Sequence, residues 1–246
     1  MKTYKNTVPA LLVLTMLTSA RTAHATPTAA WTQGHGDIGI AYEDGWDLHI
    51  HAEGAIIDGV EYLDDEFDPA DVLIQIPDFS SIARPAGAVW APTGVMPGAS
   101  IWLLPQSEAP GVPFAGFGTE EIPLGEFVGD AISLSLISAV SPSGNGQFSL
   151  YRTDLFGTPT FFMSTSDGID TSDLLPLNAD DHTHANLGFS EQGLWAVTFE
   201  ASGTHATDGF VTGMETYYFN IVPEPAAAVM CLVGGIPLVI RRRRGV

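Results

Sequence analysis

From Thr26 to Val222 the chain never sustains apolar residues at the i, i+3, i+4, i+7 spacing of a buried helix face, whereas alternation with a period of two keeps returning. Ile132-Ser133-Leu134-Ser135-Leu136 alternates without interruption, and Trp46 to His51, Gln147 to Tyr151 and Tyr217 to Ile221 follow the same rule. Val72 to Ile76, Ile101 to Leu104 and Leu194 to Phe199 are short apolar runs suited to buried strands. Turn-forming clusters separate them, among them Pro97-Gly98, Ser143-Gly144-Asn145-Gly146 and Asp167-Gly168. Residues 26–222 accommodate about eight to ten such strands around a single core. No internal repeat, flexible linker or composition break divides them. The expectation is an all-β chain: one antiparallel β-sandwich, immunoglobulin-like or jelly-roll-like. The acidic run from Glu61 to Asp71 is expected to be a solvated loop.

Charge narrows the function. Arg84 and Arg152 are the only basic side chains in this segment, against 28 of the chain's 29 acidic residues, a formal balance of −26. Such a surface repels phosphate backbones, which excludes nucleic acid as a partner. The single cysteine, Cys231, lies in an apolar terminal segment. The body therefore has no intramolecular disulfide, thiolate zinc cluster or cysteine nucleophile. Neither a Gly-x-Ser-x-Gly elbow nor a His-Glu-x-x-His helix occurs, so no recognised catalytic motif is present. The expectation is a protein that is not an enzyme. The competing class is a secreted hydrolase of matrix polysaccharide, using either a metal or a carboxylate pair, although no pair is singled out.

The two ends read as addresses. Residues 1–25 have a basic start at Lys2 and Lys5, an apolar run from Ala10 to Leu17, and the small-residue site Ala23-His24-Ala25, the layout of a signal peptide that signal peptidase removes. Residues 223–246 begin with Pro223-Glu224-Pro225, continue through an apolar stretch from Ala226 to Ile240, and end in Arg241, Arg242, Arg243 and Arg244 before Gly245. Fifteen apolar residues span roughly 22 Å as a helix, short for a permanent bilayer span, and the arginines would remain cytoplasmic. This tail resembles the PEP-CTERM sorting signal, which an exosortase recognises and cuts in Gram-negative bacteria. The resemblance implies a transient transmembrane sorting helix in the inner membrane, then release to the cell surface or extracellular matrix. An ordinary C-terminal membrane anchor would have the same topology without processing.

Chemistry concentrates in the histidines. Five of them form three groups: His35 with Asp37, His49 with His51, and His182 with His184 between Asp181 and Asn186. Residues i and i+2 of a strand share a face, so each group offers two metal-ligating side chains together. Neutral imidazole with carboxylate suits zinc, and also copper, nickel or manganese. Convergence of His35, Asp37, His51, His182 and His184 at one end of the sandwich is expected, with His49 as the substitute for His51. Asp167, Asp170 and Asp173 recur every third residue in a calcium-like pattern, but the terminal glutamate of an EF-hand is missing and turn capping suits them better.

These same groups carry a second resemblance. Gly34-His35-Gly36-Asp37-Ile38-Gly39 and the following strand to Glu53, then Phe67-Asp68-Pro69-Ala70-Asp71-Val72, Ile101-Trp102-Leu103-Leu104-Pro105-Gln106, and His182-Thr183-His184-Ala185-Asn186 with Phe189 and Gly193, run in the order seen in the choice-of-anchor M domain. The likeness extends from about Thr32 to Gly203. That family is similar to the surface-anchored wall domain of actinobacteria, and its members carry varied C-terminal anchors, PEP-CTERM among them. It implies a secreted, surface-attached β domain without established catalysis, with a metal role suggested by association alone.

Overall fold

The computed structural model describes residues 27–223. The signal segment 1–25, Glu224, Pro225, the apolar tail and Arg241 to Arg244 lie outside the described residues, while Pro223 is exposed just past the last strand. Among the described residues no helix is long and apolar enough to cross a membrane.

The chain is all-β. Its strands are β1 (Ala29–Tyr42), β2 (Trp46–Ala52), β3 (Ala55–Ile57), β4 (Val60–Tyr62), β5 (Asp65–Phe67), β6 (Val72–Pro77), β7 (Ser81–Ala83), β8 (Ser100–Leu104), β9 (Pro113–Gly118), β10 (Phe127–Val140), β11 (Phe148–Thr153), β12 (Pro159–Ser164), β13 (Leu174–Asn178), β14 (His182–His184), β15 (Asn186–Phe189), β16 (Gly193–His205) and β17 (Gly209–Val222). Every alternating or apolar run named above between Thr26 and Val222 lies on one of them, with only Gln147 falling just before β11. The count exceeds the eight to ten expected, and five of the strands are three residues long, too short to show a period. Two of these, β4, which overlaps its start, and β5, within it, occupy the acidic run from Glu61 to Asp71, which is therefore not simply a loop. Their side chains stay largely exposed, which is why they carry no apolar signal.

A curled sheet of twelve strands faces an antiparallel sheet of five, ordered β12-β11-β15-β8-β7. One apolar cluster joins them, with Trp31, Phe117, Trp195, Phe199 and Phe219 from the larger sheet against Leu104, Phe148, Leu150, Leu187 and Phe189 from the smaller. Burying each phenylalanine contributes about 1.5–3 kcal/mol, so this interface dominates the stability. A small cluster of Trp90, Ile101, Leu103 and Tyr151 is separate from this core.

The larger sheet is mixed, which corrects the antiparallel expectation. β1 runs parallel to β6 and to β9, and β17 runs parallel to β6. Parallel neighbours require long crossovers, and no local pattern in a strand records the partner it will meet. β1 also changes neighbours along its length. Its first residues lie between β6 and β3, and from Gly34 onward it lies between β9 and β2. This switch curls the sheet and turns the second half of β1 into the floor of the histidine cluster.

Candidate metal centre

The register of four strands assembles the cluster. Cross-strand partners project from the same face of a sheet. Asp37 on β1 pairs with His51 on β2 and with Gly116 on β9, and Gly116 pairs with His184 on β14. One step along, Gly39 pairs with His49 and Gly118, and Gly118 pairs with His182. His35 lies one step the other way, opposite Phe114. The intervening residues Ile38, Ile40, Leu48, Ile50, Ala115 and Phe117 enter the core, so all five histidines stand on the opposite face. Alternation thus dictates both the core and the polar surface above it.

His35, Asp37, His182 and His184 converge, each offering one ligand atom, with all four atoms within 4.8 Å of one another. Asp37 Oδ1 lies 3.6 Å from His35 Nε2 and 3.4 Å from His182 Nε2, and His182 Nε2 lies 3.0 Å from His184 Nε2. Bonds of about 2.0–2.2 Å to zinc place tetrahedral ligand atoms about 3.3–3.6 Å apart; the two separations from Asp37 fall in that range, and the two histidines of β14 stand closer than it.

The outward nitrogens are all accounted for. His35 Nδ1 is 3.1 Å from Glu53 Oε2, His182 Nδ1 is 3.0 Å from Glu120 Oε1, and His184 Nδ1 is 3.1 Å from the Ala115 carbonyl oxygen. The Ala115 carbonyl can only accept, so His184 carries its proton on Nδ1 and presents the Nε2 lone pair inward, the arrangement found around metal-bound imidazoles, while Glu53 and Glu120 stand where they would orient His35 and His182 in the same way. The Phe114 ring stacks on His184 at 3.9 Å and 3°, holding its plane. From behind, Arg152 donates through Nε to the His184 carbonyl at 2.8 Å and through its guanidinium to the Thr183 hydroxyl, which fastens the short β14.

Asp37 is the anomaly. It is 1% exposed, and its Oδ1 has no hydrogen-bond partner among the described residues. A buried carboxylate oxygen without a donor is costly, and here it faces the inner nitrogens of His35 and His182. Burial pushes the Asp37 carboxyl up to about 7, although His182 beside it pulls the other way. Burial also lowers His35 and takes His184 down to about 4, against the opposing pull of the Ala115 carbonyl, so both rings are neutral near pH 7. Three imidazole nitrogens and one carboxylate oxygen are gathered within 4.8 Å of one another, a donor set that suits a borderline divalent cation.

Gly116 makes the space. A Cβ there would overlap Asp37 Oδ1 and come within 2.8 Å of His184 Cε1 and 2.9 Å of His182 Nε2. Sequence reasoning did not single out Gly116, nor the supporting Glu53, Glu120 and Ala115. Glycines at alternate positions of the apolar strand Phe114-Ala115-Gly116-Phe117-Gly118 were the available signal, because glycine inside a strand marks close approach.

His49 and His51 do not join this cluster, which corrects their assignment to it. His51 stands opposite Asp37, but its Nε2 turns to Asp64 Oδ1 at 3.1 Å and its Nδ1 toward Glu121 Oε1 at 3.8 Å. The carboxylates of Asp64, Glu53 and Glu121 raise its pKa in spite of burial. His49 sits over Gly39 with Glu121. Asp170 and Asp173 cap turns, accepting from Ser172 and from the Ser164 and Asp170 N–H groups.

The fold and site define a class: an all-β protein with a three-histidine, one-aspartate cluster on the outer face of its larger sheet. No family model, curated protein or solved structure matches the chain.

Proposed function

We propose that the protein is exported to the cell surface or extracellular matrix of a Gram-negative bacterium and binds a divalent transition metal there, zinc foremost, through His35, Asp37, His182 and His184. The observation that carries the metal reading is the partnerless buried Asp37 Oδ1 facing the inward nitrogens of His35 and His182. Its ligand atoms lie within 4.8 Å of one another, those around Asp37 at tetrahedral zinc spacing, and each outer nitrogen stands beside an oxygen that can orient it. The fit favours a binding role over hydrolysis. Four protein ligands fill a tetrahedral ion, leaving no position for the water that a catalytic zinc activates. A zinc hydrolase acting on matrix polysaccharide is correspondingly the weaker reading.

The export reading rests on the two ends: the signal-peptide layout of residues 1–25 and the Pro223-Glu224-Pro225, apolar and arginine-rich tail. Signal peptidase and an exosortase are the processing partners, the inner membrane is a temporary one, and matrix polysaccharide is the lasting partner that suits such a location. The motif order that resembles the choice-of-anchor M domain agrees with this. We read the two facing sheets as the layers of one sandwich, immunoglobulin-like or jelly-roll-like in its layering.

Calorimetric titration of the body (residues 26–222) with zinc, copper, nickel and manganese tests the binding. Tight binding that disappears in the His182→Ala/His184→Ala double variant is expected, and equal binding to both chains defeats the assignment. For the address, mass spectrometry of the surface form should find a C-terminus near Pro223 to Pro225. An intact tail through Arg244 defeats sorting by cleavage.

A further inference from the structure

A second cluster on the same face remains unused by this site. His49 is 4% exposed, and neither of its ring nitrogens has a hydrogen-bond partner among the described residues. Nε2 lies 3.2 Å from Glu121 Oε1 without the alignment of a hydrogen bond, and Nδ1 faces Asp47 Oδ1 at 3.9 Å. Both nitrogens of this buried ring thus lie near a carboxylate oxygen without a hydrogen bond to it, and buried polar atoms left in that state are rare. Glu121 Oε1 is also 3.8 Å from His51 Nδ1, and one ligand atom each from His49, His51 and Glu121 lies within 4.8 Å of the others. The outer nitrogen of His51 is held by Asp64 at 3.1 Å, repeating the support seen for His35 and His182.

The fold makes room for this ring as it does for the first cluster. A Cβ on Gly39, the strand partner of His49, would overlap His49 Nε2. Glycine under the ring lets it lie flat on the sheet, within reach of Glu121 from the turn that follows β9. Outside it, Glu43, Asp44, Asp47, Glu66 and Glu121 line an acidic groove open to solvent. Asp47 and Glu66 also lie within ligand distance of His49 on its other side. No lysine or arginine is among the residues lining this groove, and the body's two arginines are engaged elsewhere, Arg84 with the Trp90 and Gly87 carbonyls and Arg152 with β14.

We propose that His49, His51 and Glu121 form a second divalent metal site, distinct from the four-ligand cluster and reached from the acidic groove. Its character differs from that of the first. Three protein ligands leave a coordination position for water or an incoming ligand, so this ion is bound less tightly and exchanges through the groove. The cations that fit are the borderline divalent ions that accept mixed imidazole and carboxylate, with zinc as the probe. The inference does not rest on the first site, because none of its three ligands is shared with it.

Zinc titration of the same body by calorimetry, with bound zinc counted after gel filtration, tests this. Wild-type protein should take up close to two ions per chain, in a tight class and a weaker one. His49→Ala and Glu121→Gln should each lose the weaker ion and keep the tight one, and His182→Ala/His184→Ala should do the reverse. Glu121 is half-exposed, so Glu121→Gln keeps the test valid should His49→Ala fail to fold. Uptake of one ion, insensitive to Glu121→Gln and lost with His182 and His184, overturns the second site and leaves the first standing. One ion lost with Glu121→Gln alone sinks the first and leaves the second.

Discussion

His205 and the His35–Asp37–His182–His184 cluster use the same materials to opposite ends. His205 is partly buried between Tyr42 and Phe127 rings, at 4.8 and 5.4 Å, with Asp208 and Glu126 beside it. There, however, the His205 Nδ1 and both oxygens of the Asp208 carboxylate are answered by protein donors. The Asp208 carboxylate accepts from Tyr42 Oη at 3.0 Å and Thr207 Oγ1 at 2.9 Å, and the Asp208 N–H donates to His205 Nδ1 at 3.2 Å. In the other cluster the Asp37 oxygen has no donor and the inward nitrogens have only one another. A histidine beside a carboxylate is therefore no mark of a metal site. What distinguishes one is where the carboxylate lone pairs go once all the protein donors have been counted.

The sharpest way to break this contrast is to remove a histidine from each region. At free zinc about 1,000-fold above Kd, binding stabilises the fold by about 4.1 kcal/mol. That raises Tm by roughly 8–16 °C for a chain of this size. His182→Ala/His184→Ala should remove the part of that rise due to the tight ion, leaving only the smaller contribution of the weaker site, while changing the metal-free Tm little, since His182 is exposed and His184 is only partly buried. His205→Ala should keep the full rise and cost about 1 kcal/mol of baseline stability through lost packing and hydrogen bonds. A full zinc-dependent rise that survives the first change, or a rise that vanishes with the second, reverses the comparison.

Gly116→Ala probes the space rather than the ligands. Its methyl group overlaps Asp37 Oδ1, so zinc affinity should fall sharply and the fold should lose about 1–3 kcal/mol to crowding. Denaturant titration with and without zinc measures both, and unchanged affinity would mean that the cluster is open enough to shift aside.

Asp37→Asn separates charge from shape. With its folded pKa raised to about 7 from 3.8, Asp37 contributes stability to the metal-free protein below about pH 4 that is lost as pH rises through about 7. Asparagine carries no such loss, so the variant should gain on wild type by roughly 1–3 kcal/mol between pH 5 and 8, while binding zinc much more weakly. His184 works in the other direction. Its depressed pKa gives stability that is full above about 6.5 and lost as pH falls toward about 4. In wild type zinc must displace the Asp37 proton, so affinity should fall as pH drops through about 7. Chemical denaturation at several pH values, with zinc titrations alongside, checks each sign, and a pH-independent difference between the two chains would remove the buried carboxylate from the account.

The smallest effect expected comes from the surface as a whole. With 28 acidic side chains against two basic ones, repulsion is screened over about 8 Å near physiological salt, and Tm should climb by a few degrees as monovalent salt is added. A flat profile in thermal melts would show that the charges are spaced too widely to matter.

Much of the fold was legible because alternation is a local property. Ile132 to Leu136 and Trp46 to His51 announce strands whatever they pair with. β4 and β5 were not legible, since exposed strands need no apolar residues, and the parallel pairings of β6 and β9 were not, since partner choice is settled across the whole chain. The site was legible in the same proportion. His35 with Asp37, and His182 with His184, share a face by i, i+2 geometry, so each pair could be named. Which pairs meet depends on register, and there His51 misled. It stands directly opposite Asp37, yet its ring turns away to Asp64 and Glu121, acidic residues that a sequence this rich in carboxylates gives no reason to prefer.

The placement of β6 between β1 and β17 bears on how the molecule comes to exist. A chain made from its N-terminus can pair Leu73 and Ile74 with Ala30 and Trp31 early, but the other edge of β6 waits for Tyr218 to Val222, the end of the last described strand. Until then a row of backbone groups stays bare beside an unfinished core, the condition in which strands recruit the wrong partner. Contacts so distant along the chain also make for slow folding. The nascent polypeptide therefore has to be kept apart from its neighbours until its final strand is delivered, and a truncation that removes only residues 218–222 should yield an aggregate rather than a loosened version of the native protein.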